Sequence, residues 1–486
     1  MGVISCLESL ARLHAKDAGV SEVKSEKPIL TARNETKHEE NIVDRVNNAV
    51  RRSHAEQQRI NAFISIRDDK ALDAAEIILK ETPIPSGSSA TYRPLSGLLM
   101  ARKDMFFRQR EISTCGSSIL SDFIPNETST VLSRLDLGGA IDLGTLNMSE
   151  FALGPVGQNV HYGQCFNPHD PTRISGGSSS GSAASVAAGL VSAALGSDTA
   201  GSVRLPASMC GVVGIKTTLG RISRYGIMPL SESLDTVGVI ADSVESCKKV
   251  FRIIDGPDAH DPSTSRNEWR RYGWMPSFNG LEGWTIGLPA VYYLEGMDSA
   301  VALAIDETIG QMRKAGASFV DVDLPDHEPI AEHVNLMLAV EAASLHQSWL
   351  RGRGQDYGRA VRERIETGLQ TSAVDYLRIC DERAQRVVGL TSHIYSHCDL
   401  LLSPVVDIPV PRVSDYDVSG GETAMKNVRR LNRKTRTINY LGLPAITMPA
   451  GRDRNNMPIG IQFIAPPFCE ERLFSVAEFI ERDNAG

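Results

Sequence analysis

Two glycine- and serine-rich turns hold the residues of this sequence best suited to chemistry: "GGSSSGS" at 176–182 and "SDTAGS" at 197–202. Ser178 and Ser202 stand 24 residues apart, and the run between the turns, "SAASVAAGLVSAALG" (182–196), is apolar and alanine-rich. Such a run reads as a buried helix, or a helix running into a strand. It can bring the chain back to the same rim of a sheet, where sheet enzymes keep their sites. A serine there becomes a nucleophile when a base takes its proton and N–H donors face the oxyanion that develops. The small residues at 199–201 let successive amides converge.

The base is the open question. Histidine is the usual one, and of 11 histidines His161 and His169 lie nearest in sequence, neither in a setting that identifies it. Lysine serves when burial keeps it neutral. Lys103 ends the apolar stretch "SGLLMARK", where desolvation is expected. The plainer reading pairs it with Asp104 or another acid at a strand end, and spacing alone leaves both open.

Other readings of the first turn are weaker. A linker does not run straight into an apolar segment. A phosphate cradle needs GxxxxGK[ST] or GxGxxG after a strand, and Gly181 is followed by Ser182. Residues 177–181 match G-x-S-x-G around Ser179, but a nucleophile elbow needs a strand before it, and "QCFNPHDPTRIS" is polar with two prolines.

The elements that must position these turns alternate. Helical spacing from residue 41 ends in a strand-like "AFISI". "LSGLLMARKDMF" (95–106), "GGAIDLGTLN" (138–147), "WTIGLPAVY" (284–292), "SFVDVDLP" (318–325), "CDLLLSPVV" (398–406) and "PIGIQFIA" (458–465) read as strands. Residues 299–317 predict a helix with Val301, Ile305, Ile309 and Met312 on one stripe, and 469–482 close as another. Strands alternating with helices argue for an α/β sheet covered on both faces. Residues 1–40 are polar and read as an appendage.

The net charge of −8, from 51 basic and 59 acidic residues, with no long basic run, argues against nucleic acid as a partner. No apolar run reaches a membrane span, and the N-terminus is a poor signal peptide, so a cytoplasmic protein with no membrane partner is expected. Eight scattered cysteines with no CxxC give no support to a metal site, and reduced thiols are expected.

Taken together, "GGSSSGSAASVAAG", "LGSDTAGSVRLPASMCGVVGIKTTLGRISRYG", "SLDTVG", "GLLMARKDMF", "GTLNMSEFALG" and "NYLGLPAITMPAG…PIGIQFIA" resemble the amidase signature family, from about residue 42 to about 482. The resemblance implies one large domain over 41–486, a central mixed β-sheet with helices on both faces, preceded by a helical appendage at 1–40. It also implies a Ser–cis-Ser–Lys triad, with Ser202 as nucleophile, Ser178 as bridging serine after a cis bond from Gly177, and Lys103 as base. The N–H groups of Thr199, Ala200, Gly201 and Ser202 would form the oxyanion hole. Ser179, Asp198 and Arg204 would be structural neighbours. Neither metal nor cofactor enters.

The main expectation is therefore a free-standing hydrolase of non-peptide carbon–nitrogen bonds, an amidase working through an acyl-enzyme. Its partner would be a small-molecule amide or carbamate, with urea-type bonds and esters as further candidates and a homodimer as the assembly. The alternative is the glutaminase subunit of a tRNA-dependent amidotransferase. That subunit carries an acid shortly before "GLPA", whereas "RRLNRKTRTINYLGLPA" here has none. A third is a non-catalytic scaffold. Three positions depart from the family: Ser180 replaces the usual Gly, Thr217 the usual Pro, and Ala200 a frequent Gly, the last resembling members that act on urea-derived substrates. Mainly apolar pocket walls are expected from loops near Met148–Leu153, 326–350 and 407–425.

Overall fold

The computed structural model describes residues 41–80, 93–264, 280–324, 327–416 and 422–484. The expected appendage at 1–40 lies outside them. Eleven strands appear among the described residues: β1 (Phe63–Ile66), β2 (Leu99–Lys103), β3 (Ile141–Leu146), β4 (Ala193–Asp198), β5 (Val213–Lys216), β6 (Thr236–Ala241), β7 (Thr285–Leu288), β8 (Ser318–Asp321), β9 (Leu400–Pro404), β10 (Ala445–Arg452) and β11 (Pro458–Ile464). They form one sheet in the order β1-β3-β2-β4-β6-β5-β10-β11-β9-β7-β8. The sheet is mixed: β2 runs parallel to β3 and β4, and β7 to β8 and β9, while β4, β6, β5, β10, β11 and β9 pair antiparallel in succession.

Every residue of β2, β3, β4 and β6 is buried, which is why these segments read as apolar runs rather than alternating ones. Successive side chains still leave on opposite faces. On β2, Met100 joins one core while Leu99 and Ala101 join the other; on β6, Val239 and Ala241 part from Ile240 in the same way. Helices 42–60, 68–80 and 180–187 cover the second core, with Val46, Ala75 and Ala183 among its members. Helices 130–137, 244–254, 299–314, 327–353 and 470–484 cover the first, and the stripe residues Ile305, Ile309 and Met312 face it. The architecture is the α/β sheet with helices on both faces that the alternation predicts.

The strand expected over 284–292 ends at Leu288, and residues 290–294 form a helical turn. Residues near 326–350, anticipated as a pocket loop, form the helix His327–Arg353. Ile330, Val334, Met337 and Leu338 are buried at helical spacing, so apolar burial fixes a helix there.

Candidate active site

The parallel neighbours β2 and β4 pair Ala101 with Ala194, so their C-terminal ends share one rim. Lys103 is the last residue of β2, and Ser197 and Asp198 are the last two of β4. The 199–203 turn then enters helix Arg204–Cys210, and Ser178 precedes helix Ser180–Ala187. The Ser179 N–H donates to the Ser202 carbonyl at 3.2 Å, which ties the two glycine–serine turns together. Ser179 Oγ donates to the Ser197 carbonyl, 3.4 Å.

Glycine is required where the chain makes these approaches. The Gly177–Ser178 peptide bond is cis. A Cβ on Gly177 would lie 2.6 Å from the Gly154 carbonyl oxygen. Gly201 has φ +121°, and a Cβ there would meet Thr435 Oγ1 at 2.2 Å. Ser180 fits its tight turn because its hydroxyl donates to the Asn147 carbonyl at 3.2 Å, and Thr217 Oγ1 donates to the Val237 carbonyl at 2.9 Å.

Lys103 is fully buried. Its Nζ donates to Ser178 Oγ at 2.7 Å and to Ser197 Oγ at 2.8 Å. Burial lowers its pKa to about 7, against the opposing pull of Asp235 and Asp198. No ion pair joins it to Asp104 among the described residues: Asp104 Oδ2 accepts from the Thr114 N–H at 2.9 Å and from the Thr114 hydroxyl. His161 turns to Glu150, 2.9 Å, and His169 to the Cys210 carbonyl, 2.9 Å. No strand leads into residues 175–179, the context an elbow at Ser179 would need.

Asp198 and Arg204 are both fully buried and pair at 3.1 Å. Burial alone would raise the Asp198 carboxyl; Arg204, with Lys216 and Asn439, holds it well below the carboxylate range. Arg204 also reaches Asn439 Oδ1 at 2.6 Å, the Thr435 carbonyl at 3.0 Å and Gln462 Oε1 at 3.0 Å, fastening the Ser202 turn to helix 436–441 and β11. Asp198 Oδ1 accepts from the Gly201 N–H at 2.8 Å. Of the four amides the resemblance implies for an oxyanion, that of Gly201 is therefore engaged by Asp198.

Ser202 opens onto a pocket with Thr199 and Ala200 on one side and Leu153, Leu205, Leu230 and Leu338 as apolar wall. Leu153 and Leu338 fall in two of the three anticipated segments. The third, 407–425, contributes no wall residue among the described ones, and the side chains of 417–425 lie outside the description. Beside these apolar residues, Arg364 and Asn432 complete the wall. Arg364 comes from helix Arg359–Leu369, and no carboxylate pairs with it among the described residues. Burial, then Arg436 and Arg429, lower its pKa to about 10, so it stays a cation at neutral pH. Sequence reasoning missed both residues: Arg364 is one charge in a charged helix and Asn432 one polar residue in the turn between two helices, neither within a motif.

The amidase family profile matches residues 44–474. The chain is 34% identical over 474 residues to one subunit of the glutamyl-tRNA(Gln) amidotransferase of Geotalea daltonii, covering 92% of this chain and 95% of that one. Among solved structures, an s-triazine catabolic enzyme described from a vestigial protein complex superposes with a TM-score of 0.82 at 29% identity, covering 99% and 98%. A peptide amidase from Stenotrophomonas maltophilia gives 0.75 at 26%, covering 91% and 93%. The first likeness overturns the expectation of a small molecule as the only partner with no nucleic acid: that relative belongs to an assembly named for a tRNA. Net charge summed over a chain does not report what it serves through its companions. No helix of the described residues is long and apolar enough to cross a membrane. With its profile match over most of its length and its relatives at this identity, the chain belongs to the amidase signature family, hydrolases that act on carbon–nitrogen bonds.

Proposed function

We propose that this enzyme hydrolyses the terminal amide of a small carboxylate-bearing substrate, with Ser202 as nucleophile, Ser178 as relay and Lys103 as base. The observation that carries the substrate class is Arg364, a half-buried cation beside Ser202 without a carboxylate partner among the described residues. An unpaired guanidinium at a pocket wall is matched by a substrate carboxylate in bidentate contact.

The proposed relay starts at the 2.7 Å contact of Lys103 with Ser178 and passes to Ser202, whose turn is tied to that of Ser178 by the Ser179 N–H. Neutral Lys103 takes the Ser178 proton as Ser178 takes that of Ser202, whose oxygen attacks the amide carbon. The oxyanion faces the amides of Thr199, Ala200 and Ser202. The relay returns the proton to the amide nitrogen, the C–N bond breaks and ammonia leaves. Water repeats the sequence on the acyl-enzyme and releases the acid.

Two readings share this chemistry. In the first, the substrate is glutamine and the chain is the glutaminase subunit of an amidotransferase, which the curated relatives support. In the second, it is a free-standing amidase for an anionic amide with no ammonium group. Asn432 favours this one, since among the described lining residues it is an amide, and none is a carboxylate that would pair with an α-ammonium. Ammonia release is measured with glutamine, 5-amino-5-oxopentanoate and hexanamide. Glutamine turned over best supports the first reading, and the oxopentanoate supports the second. Hexanamide turned over as fast as both would sink the role of Arg364.

A further inference from the structure

Glu150 carries a carboxylate that the proposed chemistry does not use, and it is 2% exposed. Its hydrogen bonds reach three other segments. Oε1 accepts from the Ser117 hydroxyl at 2.7 Å and lies 2.9 Å from His161 Nε2. Oε2 accepts from the Gly358 N–H at 2.9 Å. Gly358 is the N-cap of helix Arg359–Leu369, the helix that carries Arg364. A carboxylate at that end satisfies an N–H group the helix leaves open and lies at the positive pole of its dipole.

The turn before the helix is fastened to the same place. The Ser118 hydroxyl donates to the Asp356 carbonyl at 3.1 Å, and Arg353 Nη1 to the Ile119 carbonyl at 2.8 Å. Glu150 also begins the pocket wall, since Ala152 and Leu153 line it. Phe151 and Ala152 have φ +47° and +61°, left-handed values that such residues keep only where their surroundings impose them. The Phe151 ring packs on His346 and Tyr357, with centroids 4.4 and 5.7 Å apart. One carboxylate thus joins the apolar wall to the start of the helix that brings the cation. At its other end this helix meets helix His327–Arg353: a Cβ on Gly368 would lie 2.0 Å from the Ala339 carbonyl oxygen. Arg364 lies between the two fastenings, about 9 Å along the axis from Gly358 at about 1.5 Å per residue.

We propose that Glu150 is the positioning residue for Arg364. By holding the helix start against the 151–153 wall, it sets the reach from Ser202 to the guanidinium, and so the chain length of the anionic amide accepted. The inference rests on the carboxylate-binding role of Arg364 proposed above. A fixed cation and a fixed nucleophile admit one spacing between carboxylate and amide carbon, and a substrate one methylene off loses either the contact or the attack geometry.

The test compares kcat/KM, by ammonia release, for 4-amino-4-oxobutanoate, 5-amino-5-oxopentanoate and 6-amino-6-oxohexanoate, with hexanamide as the uncharged control. The wild type is expected to prefer one length by about tenfold or more. Glu150→Ala frees the helix start, so the preference falls to within about threefold, and Glu150→Gln, whose side-chain oxygen still accepts from Gly358, restores it. Gly358→Pro breaks the same contact from the other side: it removes the N–H at a φ of −56°, within proline's range, and its Cβ, 2.9 Å from Glu150 Oε2, keeps the two apart. It is expected to match Glu150→Ala, and it decides the matter if Glu150→Ala does not fold. A length preference kept in Glu150→Ala and in Gly358→Pro overturns the positioning role. A wild type that takes the three lengths alike, yet all of them better than hexanamide, overturns the length selection and leaves the reading of Arg364 standing. A wild type that takes none of them better than hexanamide overturns the reading of Arg364, and this inference with it.

Discussion

Lys103→Arg is the substitution that asks most of the proposed mechanism. With a pKa of about 7, Lys103 is neutral in about a tenth of molecules at pH 6, half at pH 7 and nine tenths at pH 8. If the neutral amine is the base, kcat/KM for an amide rises about tenfold between pH 6 and pH 8 and then levels. A guanidinium does not deprotonate in this range, so Lys103→Arg removes the limb and lowers kcat/KM by about 10²–10⁴. The assay is ammonia release across pH 5.5–9 in a buffer of constant ionic strength. Stability gives a second readout of the same number. The folded-state pKa lies below the unfolded 10.5, so between pH 7 and 10.5 the unfolded chain binds more protons and stability rises with pH. At 1.36 kcal/mol per unit, burying this lysine costs about 5 kcal/mol at pH 7 and below, and the cost vanishes above 10.5. Lys103→Met relieves it, less the two hydrogen bonds lost, so the urea midpoints of wild type and variant should converge as pH rises from 7 to 10. A flat rate profile in wild type, or a Lys103→Arg variant within about tenfold of it, refutes the reasoning.

Arg364→Met removes a charge-assisted contact worth about 1.5–3 kcal/mol, so KM for a carboxylate-bearing amide rises by about 10- to 10²-fold while hexanamide turnover is unchanged. Ser202→Ala abolishes fluorophosphonate labelling, and label found instead on Ser179 would favour the elbow chemistry. Gly201→Ala forces a Cβ onto Thr435 Oγ1 at φ +121° and is expected to lower the melting temperature as well as the rate, read by calorimetry and ammonia release. Arg204→Met leaves the Asp198 carboxylate buried without its cation, at about 3–5 kcal/mol in urea unfolding. Adding Asp198→Asn should recover part of that loss, since the uncompensated charge is then gone.

How far the site was readable follows from the kind of signal each residue leaves. Two Gly/Ser turns around an apolar run leave a local signal, because close approach demands residues without bulk, as the Cβ clashes at Gly177 and Gly201 require. Lys103 left half a signal: an apolar stretch says the lysine is buried, but not whether Asp104 pairs with it. Only the fold turns Asp104 to Thr114 and Lys103 to Ser178. Ser197 was quoted within a motif and given no role, since hydrogen-bond direction is not written in residue type.

By itself, the order of residues determined the alternation of strands and helices, the buried stripe of helix 299–314 and the two turns at one sheet rim, because periodicity and glycine chemistry act over a few neighbours. The tertiary structure decided what neighbours do not encode. β5, β6 and β10 lie side by side at the centre of one eleven-stranded sheet, an order that only the pairing of distant segments sets. The helix at 327–353 takes the place of a loop because its apolar face has a core to cover. Arg364 and Asn432 reach Ser202 from positions more than 150 residues away, and it is folding that puts a cation beside the nucleophile.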